Sequence, residues 1–240
     1  MNVTFFPESE RGKGEYGWLH TRYSFSFSRY YNPERMGFGA LLVLNDDIID
    51  GGGGFPTHSH RDMEIITIPF EGQLQHRDST GGEGTITAGE VQVMSAGTGV
   101  AHSEFNASQV EHVSLFQIWI ISEQEGVQPR YDQAKFNLED FKNNFKLMVG
   151  PITKPDLSVL QIHQQAYLSR GQFNADQEVE YKLYDPNNCL YIMQIEGVSL
   201  IAGKTLNRRD AIGLQGVGAD TITLQIKGNA DILLIEVPDL

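Results

Sequence analysis

Glu64-Ile-Ile-Thr-Ile-Pro-Phe70-Glu71-Gly72-Gln-Leu-Gln-His76-Arg-Asp78, residues 64–78 of this 240-residue chain, decides the fold class. An isoleucine-rich run stops at a glycine and gives way to a polar run, which reads as two strands, 64–70 and 72–78. The next five residues, Asp78-Ser79-Thr80-Gly81-Gly82, are turn formers, and the chain returns as a strand toward Thr85, so a hairpin follows. Outward from this stretch the pattern recurs. Residues 40–44, 90–94 and 113–121 are further short runs rich in Val, Ile and Phe, bounded by Gly, Asn, Asp or Pro. With 25 glycines and 9 prolines spread between such runs, the chain reads as all-β at barrel or sandwich spacing.

The composition shifts between residues 122 and 159, where polar residues and Pro129 predict a linker, with a short helix over 138–147. Strand patterning resumes from Leu160, with candidates at 189–195, 198–201, 221–226 and 230–237. The second half echoes the first: Glu196-Gly197 follows an apolar strand as Glu71-Gly72 does, and Asn207-Arg208-Arg209-Asp210-Ala211 precedes a strand as Thr87-Ala88-Gly89-Glu90-Val91 does. Two β-barrel domains of similar design are expected, divided as residues 1–132 and 133–240.

Charge excludes some classes of partner. With 18 Lys and Arg against 31 Asp and Glu the net charge is −13, which repels nucleic-acid phosphates and anionic lipid and argues against direct nucleic-acid binding. Cys189 stands alone, so no intramolecular disulfide can form; a reducing compartment fits, and the cytoplasm is the expected location. Residues 1–16 carry Glu8, Glu10, Arg11, Lys13 and Glu15 rather than an apolar signal core, and no stretch approaches a membrane span.

Upstream of the opening stretch, Gly51-Gly-Gly-Gly-Phe-Pro-Thr-His58-Ser-His60 places two histidines two residues apart. On a strand, both imidazoles then share a face. Downstream, Ser95-Ala-Gly-Thr-Gly-Val-Ala-His102-Ser-Glu104 pairs an imidazole with a carboxylate at the same spacing. Two such strands inside one barrel bring His58, His60, His102 and Glu104 together as four converging ligands of one metal ion. Chance supplies about 0.2 His-x-His and about 0.5 His-x-Glu in a chain of this composition, so spacing alone leaves satisfied core or surface histidines as an equal reading. The remaining candidates are weaker. His76 reads as a solvated group on a polar hairpin strand, and His20 and His112 have less claim still. His163 is the sole histidine after residue 112, so the second barrel cannot repeat a three-histidine site and is expected to be metal-free. Cys189 reads as a small buried apolar side chain. Gly51–Gly54 reads as a turn, since no Lys-Ser or Lys-Thr follows to make a phosphate cradle. Tyr23, Phe25, Phe27, Tyr30 and Tyr31 read as a strand whose aromatic face packs on a barrel.

His58-x-His60-x-x-x-Glu64 followed by His102-x-x-x-Asn106 resembles the two-part motif of the cupin superfamily. Within it, Phe55-Pro-Thr-His-Ser-His-Arg61-Asp-Met-Glu64, His76-Arg-Asp-Ser79 and Met94-Ser-Ala-Gly-Thr-Gly-Val-Ala-His102-Ser-Glu104 resemble the pirin family, including its bacterial quercetinase-like members. Ser24-Phe-Ser-Phe27 and Tyr30-Tyr31 also fit, whereas the C-terminal half resembles the second pirin cupin only in layout. The resemblance implies a two-cupin chain with an iron site in the first barrel, whose ligands fall on His58, His60, His102 and Glu104. In several members it also implies a dioxygenase acting on the flavonol quercetin. Ser59 and Asp62-Met63 depart from the common pirin residues at the rim of the site. Many cupins use the glutamate at the position of Glu64 as a ligand, and strand parity from His60 puts it on the ligand side; the pirin likeness favours Glu104, leaving Glu64 to orient an imidazole.

A set of three imidazoles and a carboxylate suits iron, nickel, copper, manganese or zinc. By resemblance the metal is Fe(II). In six-coordination two positions stay open for an aromatic substrate and O2, whereas tetrahedral zinc would close the site. Glu104 is then the expected general base for an enolic hydroxyl acidified by the metal. The competing implication is a metal-bearing regulatory protein that acts through a protein partner according to its oxidation state.

Overall fold

The computed structural model describes residues 1–218 and 221–240, and among these the helical segments are three short 3₁₀ turns. The first half carries β1 (Asn2–Phe6), β2 (Gly12–Glu15), β3 (Leu19–Tyr23), β4 (Leu41–Ile49), β5 (Gly54–His60) and β6 (Met63–Glu71). It continues with β7 (Gln73–Asp78), β8 (Glu83–Thr87), β9 (Glu90–Ser95), β10 (Val100–Asn106), β11 (Val113–Ile121) and β12 (Arg130–Lys135). The second half carries β13 (Phe145–Pro151), β14 (Leu160–Ile162), β15 (Tyr167–Asn174), β16 (Gln177–Lys182), β17 (Cys189–Ile201), β18 (Lys204–Leu206), β19 (Ala211–Gln215) and β20 (Thr221–Val237).

Two sheets build the first barrel, one ordered β12-β9-β6-β11-β4-β3-β2 and the other β5-β10-β7-β8. The second barrel is one nine-stranded sheet, β1-β19-β17-β20-β15-β13-β14, with β16 pairing β20 and β18 pairing β17. The chain is thus a bicupin, and both halves are built alike.

The largest apolar cluster lies between the barrels rather than inside either. Ile66, Ile68, Phe116, Ile118 and Ile120 from the first barrel meet Tyr191, Met193, Ile195, Leu233 and Ile235 from the second. This explains the unbroken apolar runs of β6 and β11. Their other faces, Ile65 and Thr67 on β6 and Leu115, Gln117 and Trp119 on β11, point into the first barrel, so both faces of these strands are covered. Charge ties the same seam: Arg209 donates from Nε to Asp46 Oδ2 at 2.8 Å, and Arg11 reaches the same oxygen at 3.3 Å.

Several expectations need correction. The expected linker contains β12 and β13. The helix expected over 138–147 is a 3₁₀ turn, Leu138–Phe141, because Asn143 takes a left-handed φ of +51° and the chain leaves it as β13. The candidates at 189–195 and 198–201 join into β17, and those at 221–226 and 230–237 into β20, because each strand passes the other at a bulge rather than a turn. The strand expected to carry the aromatic run ends at Tyr23. Beyond it the Ser26 hydroxyl closes a loop with the backbone of Asn32, leaving Phe25 buried and Tyr31 72% exposed. The 132/133 division falls inside β12, and β1 pairs with β19 of the second barrel. No helix among the described residues is long and apolar enough to cross a membrane.

Gly197 marks the bulge in β17 with a φ of +81°, and a Cβ there would collide with the backbone carbonyl of Asn229. Gly203, at φ +75°, has open space around it. In urea denaturation Gly197→Ala is expected to lose well over 1 kcal/mol of stability and more than Gly203→Ala, because strain adds to a backbone clash at the first and stands alone at the second.

Candidate metal centre

The pairing of β5 with β10 sets His102 directly opposite His58, with His60 opposite Val100. The imidazole centroids are 4.4 Å apart for His58 and His102, 4.8 Å for His58 and His60, and 4.9 Å for His60 and His102. One ring nitrogen from each comes within 4.8 Å of the others, the spacing of ligands around a single ion. Burial pulls His60 down to about 4 and His102 down to about 3, with the neighbouring histidines adding to the effect, and so holds these two rings neutral. Neutral imidazole is the form that binds a metal.

For His58 and His102, hydrogen bonds also choose the nitrogen the ring presents. The backbone oxygen of Pro56 lies 2.8 Å from Nδ1 of His58 and accepts its proton, leaving Nε2 with a free lone pair. His102 is set by a longer chain. Asp78 is held as a carboxylate: the Thr80 hydroxyl, His76 and the backbone amides of Thr80 and Gly82 together outweigh burial and lower its pKa. His76 therefore donates from Nε2 to Asp78 Oδ2 at 3.0 Å, which makes its Nδ1 an acceptor. His102 donates from Nδ1 to that nitrogen at 3.4 Å. Nε2 of His102 is left as a buried lone pair without a partner, as a metal ligand requires. This orphaned atom, with two more imidazoles beside it, is where the residues fit an ion.

Glu104 enters from a different direction. The register of β10 shifts between His102 and Glu104, and the carboxylate groups with His76 and His102, their ligand atoms within 4.8 Å, rather than with His58 and His60. It rests on a polar row that crosses the barrel in register, Asn45 to Gln117 to Thr67 to Gln92. Gln92 donates from Nε2 to Oε1 at 3.2 Å, and Gln117 from Nε2 to Oε2 at 2.9 Å. Burial pushes Glu104 up to about 7 despite the pull of Gln92, Gln117 and Thr67. Two neutral amides orient the carboxylate without neutralising it.

The imidazoles and Glu104 line one cavity of about 330 Å³, at the lower end of the size usual for small-molecule sites. Phe27, Phe55, Ile65 and Trp119 give it apolar walls, and Asn45, Asp47 and Gln117 add polar groups. The Trp119 ring meets His60 edge-on at 4.8 Å.

Glu64 is not brought to this group. It is fully buried on the seam, where Ser95 Oγ donates to its Oε2 at 2.6 Å and His163 Nδ1 lies 3.6 Å from its Oε1. Strand parity from His60 fails because the chain changes sheets at Arg61 and Asp62, the latter at φ +49°. His76, expected at the surface, is instead fully buried and stacks on Tyr131 at 4.5 Å. Its signal was the alternation of Leu74, His76 and Asp78 on one face of β7. His20 and His112 lie at the surface, paired with Glu15 and Glu71. Cys189 is buried, its thiol pushed up to about 12 chiefly by that burial.

Comparison with known proteins bears on both barrels. Residues 6–120 match the family described as Pirin, and residues 153–237 match the quercetinase C-terminal cupin domain. The chain is 37% identical over 230 residues to the quercetin 2,3-dioxygenase of Escherichia coli strain K12, covering 96% of each. Its fold is similar to the crystal structure of YhhW from Escherichia coli, with a TM-score of 0.92, 36% identity and coverage of 100% of this chain and 99% of that one. It is also similar to the bacterial pirin YhhW of Escherichia coli in complex with nickel(II), with a TM-score of 0.91, 35% identity and full coverage of both chains.

Because Asp78 and His76 set the His102 tautomer, Asp78→Ala and His76→Ala are expected to weaken metal affinity roughly 10- to 100-fold. Competition against a chromophoric chelator measures this. Wild-type affinity in both variants would show that His102 needs no such support.

Proposed function

The chain belongs to the pirin family, and we propose that it is an iron-dependent dioxygenase that opens a flavonol such as quercetin in its first barrel. The observation that carries this reading is the meeting of three imidazoles, with Nε2 of His102 buried and unpartnered, at an apolar cavity of ligand size that the buried Glu104 carboxylate also lines. The quercetin dioxygenase name of the Escherichia coli relative supports the reaction, and the nickel(II) in the solved bacterial pirin YhhW supports a divalent metal in a site of this kind.

In this reading His58, His60 and His102 hold one divalent ion and Glu104 is its fourth ligand. The ion, when bound, supplies Lewis acidity to an enolic hydroxyl of the substrate. The work of the chain's own residues follows from their placement. Phe27, Phe55, Ile65 and Trp119 enclose a flat aromatic body and exclude water, which strengthens every polar contact inside. Gln92 and Gln117 hold Glu104 so that it turns only a little to accept the enol proton, and its raised affinity for a proton suits a base working near neutral pH. The resulting electron-rich flavonol anion combines with O2, and the ring opens with release of carbon monoxide. The second barrel contributes cover: its apolar face seals the outer side of β6 and β11.

Fe(II)-loaded protein given quercetin in air is expected to consume O2 and release carbon monoxide, followed with an oxygen electrode and gas analysis. Glu104→Gln, with metal content checked by elemental analysis, is expected to lower turnover by about 10²- to 10⁴-fold. Turnover no higher than in metal-free protein would contradict the reading.

A further inference from the structure

Two acceptors in the same cavity are unused by the chemistry above. Asn45 and Asp47 lie on the inner face of β4, each only 3% exposed, and both line the cavity. Oδ1 of Asn45 and Oδ1 of Asp47 have no hydrogen-bond partner. A buried acceptor is costly to leave unpaired, so this pair is incomplete until something donates to it.

Their neighbours do not fill the need. Gln117 lies opposite Asn45 in register but gives its amide to Glu104. Thr21 and Leu115 flank Asp47 in register, and the Thr21 hydroxyl only partly offsets the burial that pushes the Asp47 carboxyl up to about 7. The nearby donors do not reach them: Arg11 gives its Nη groups to Asp46, which points to the opposite face of β4, and to the backbone oxygen of Arg22, while its Nε and the Thr21 hydroxyl have no hydrogen-bond partner. Two acceptors at positions i and i+2 of a strand stand about 7 Å apart, and they belong to a different sheet from the histidines. A ligand held between the aromatic walls, with one edge at the imidazoles, therefore presents another edge to β4.

We infer that Asn45 and Asp47 form a polar subsite that accepts hydrogen bonds from ring hydroxyls of the ligand other than the enol, selecting polyhydroxylated over bare flavonols. This rests on the flavonol reading of the cavity and specifies the substrate class within it. Discrimination is strong where a site's buried polar groups go unpaired with the wrong ligand, and the apolar walls alone would prefer the less hydroxylated compound.

Anaerobic titration of Fe(II)-loaded protein with quercetin and with 3-hydroxyflavone, read through tryptophan fluorescence, tests the inference. Wild type is expected to bind quercetin more tightly than 3-hydroxyflavone. Asp47→Leu is expected to weaken quercetin by about tenfold or more, leave 3-hydroxyflavone unchanged or tighter, and keep or raise the thermal midpoint. Asp47→Asn, which retains an acceptor, should keep most of the preference for quercetin. Equal weakening of both ligands in Asp47→Leu, or no weakening of either, would overturn the inference and assign Asp47 to the scaffold or to a water. The preference in binding without O2 consumption in air would sink the dioxygenase reading and leave the subsite standing. Failure of wild type to bind either flavonol would overturn both.

Discussion

The antiparallel register that sets His102 against His58 is the constraint on which the rest of the first barrel depends. Strand side chains alternate with a period of two, so a slip of one residue would turn the imidazoles of one strand to the opposite face. The register is guarded on both sides. His102 is tied through His76 to Asp78 on β7, and Phe105 closes over Gly54, where any larger residue would collide with it. What β5 and β10 hold together is therefore one ring cluster in which the tautomers of His58 and His102 are chosen, not three independently placed histidines.

A polar interior of this kind needs its apolar support elsewhere. Gln117, Thr67 and Gln92 commit part of the barrel's inner surface to hydrogen bonding, and the main apolar cluster sits between the barrels instead. The second barrel, filled by its own cluster of Phe173, Leu190, Ile192 and Leu234, gives the first an apolar wall to pack against. Cover on the outer face frees the inner face of β6 and β11 to carry Gln117, Thr67 and the cavity wall. The Asp46 carboxylate, shared by Arg11 and Arg209, fixes the seam at the back of the strand whose front carries Asn45 and Asp47.

The histidine pairs were legible in the sequence because period-two spacing is local: His58 and His60, and His102 two residues before Glu104, needed only the strand assignment. The fold class was legible for the same reason. Three things were not, each because it depends on a contact between distant segments. Glu64 was misplaced because parity does not survive the change of sheet at Asp62. His76 looked solvated because Gln73, Gln75 and Arg77 do face outward on β7, while the ring that covers it, Tyr131, lies on β12 in a stretch whose polar composition hid a strand. The polar row beneath Glu104 joins residues up to 72 positions apart, from Asn45 to Gln117, and no local pattern announces it.

X-ray absorption at the edge of the metal retained by natively purified protein tests the central claim most directly, because it reports the ligand atoms around the ion. A shell of nitrogen and oxygen only, with outer scattering from three imidazoles, is expected. Sulfur in that shell, or scattering from fewer than three imidazoles, would contradict it.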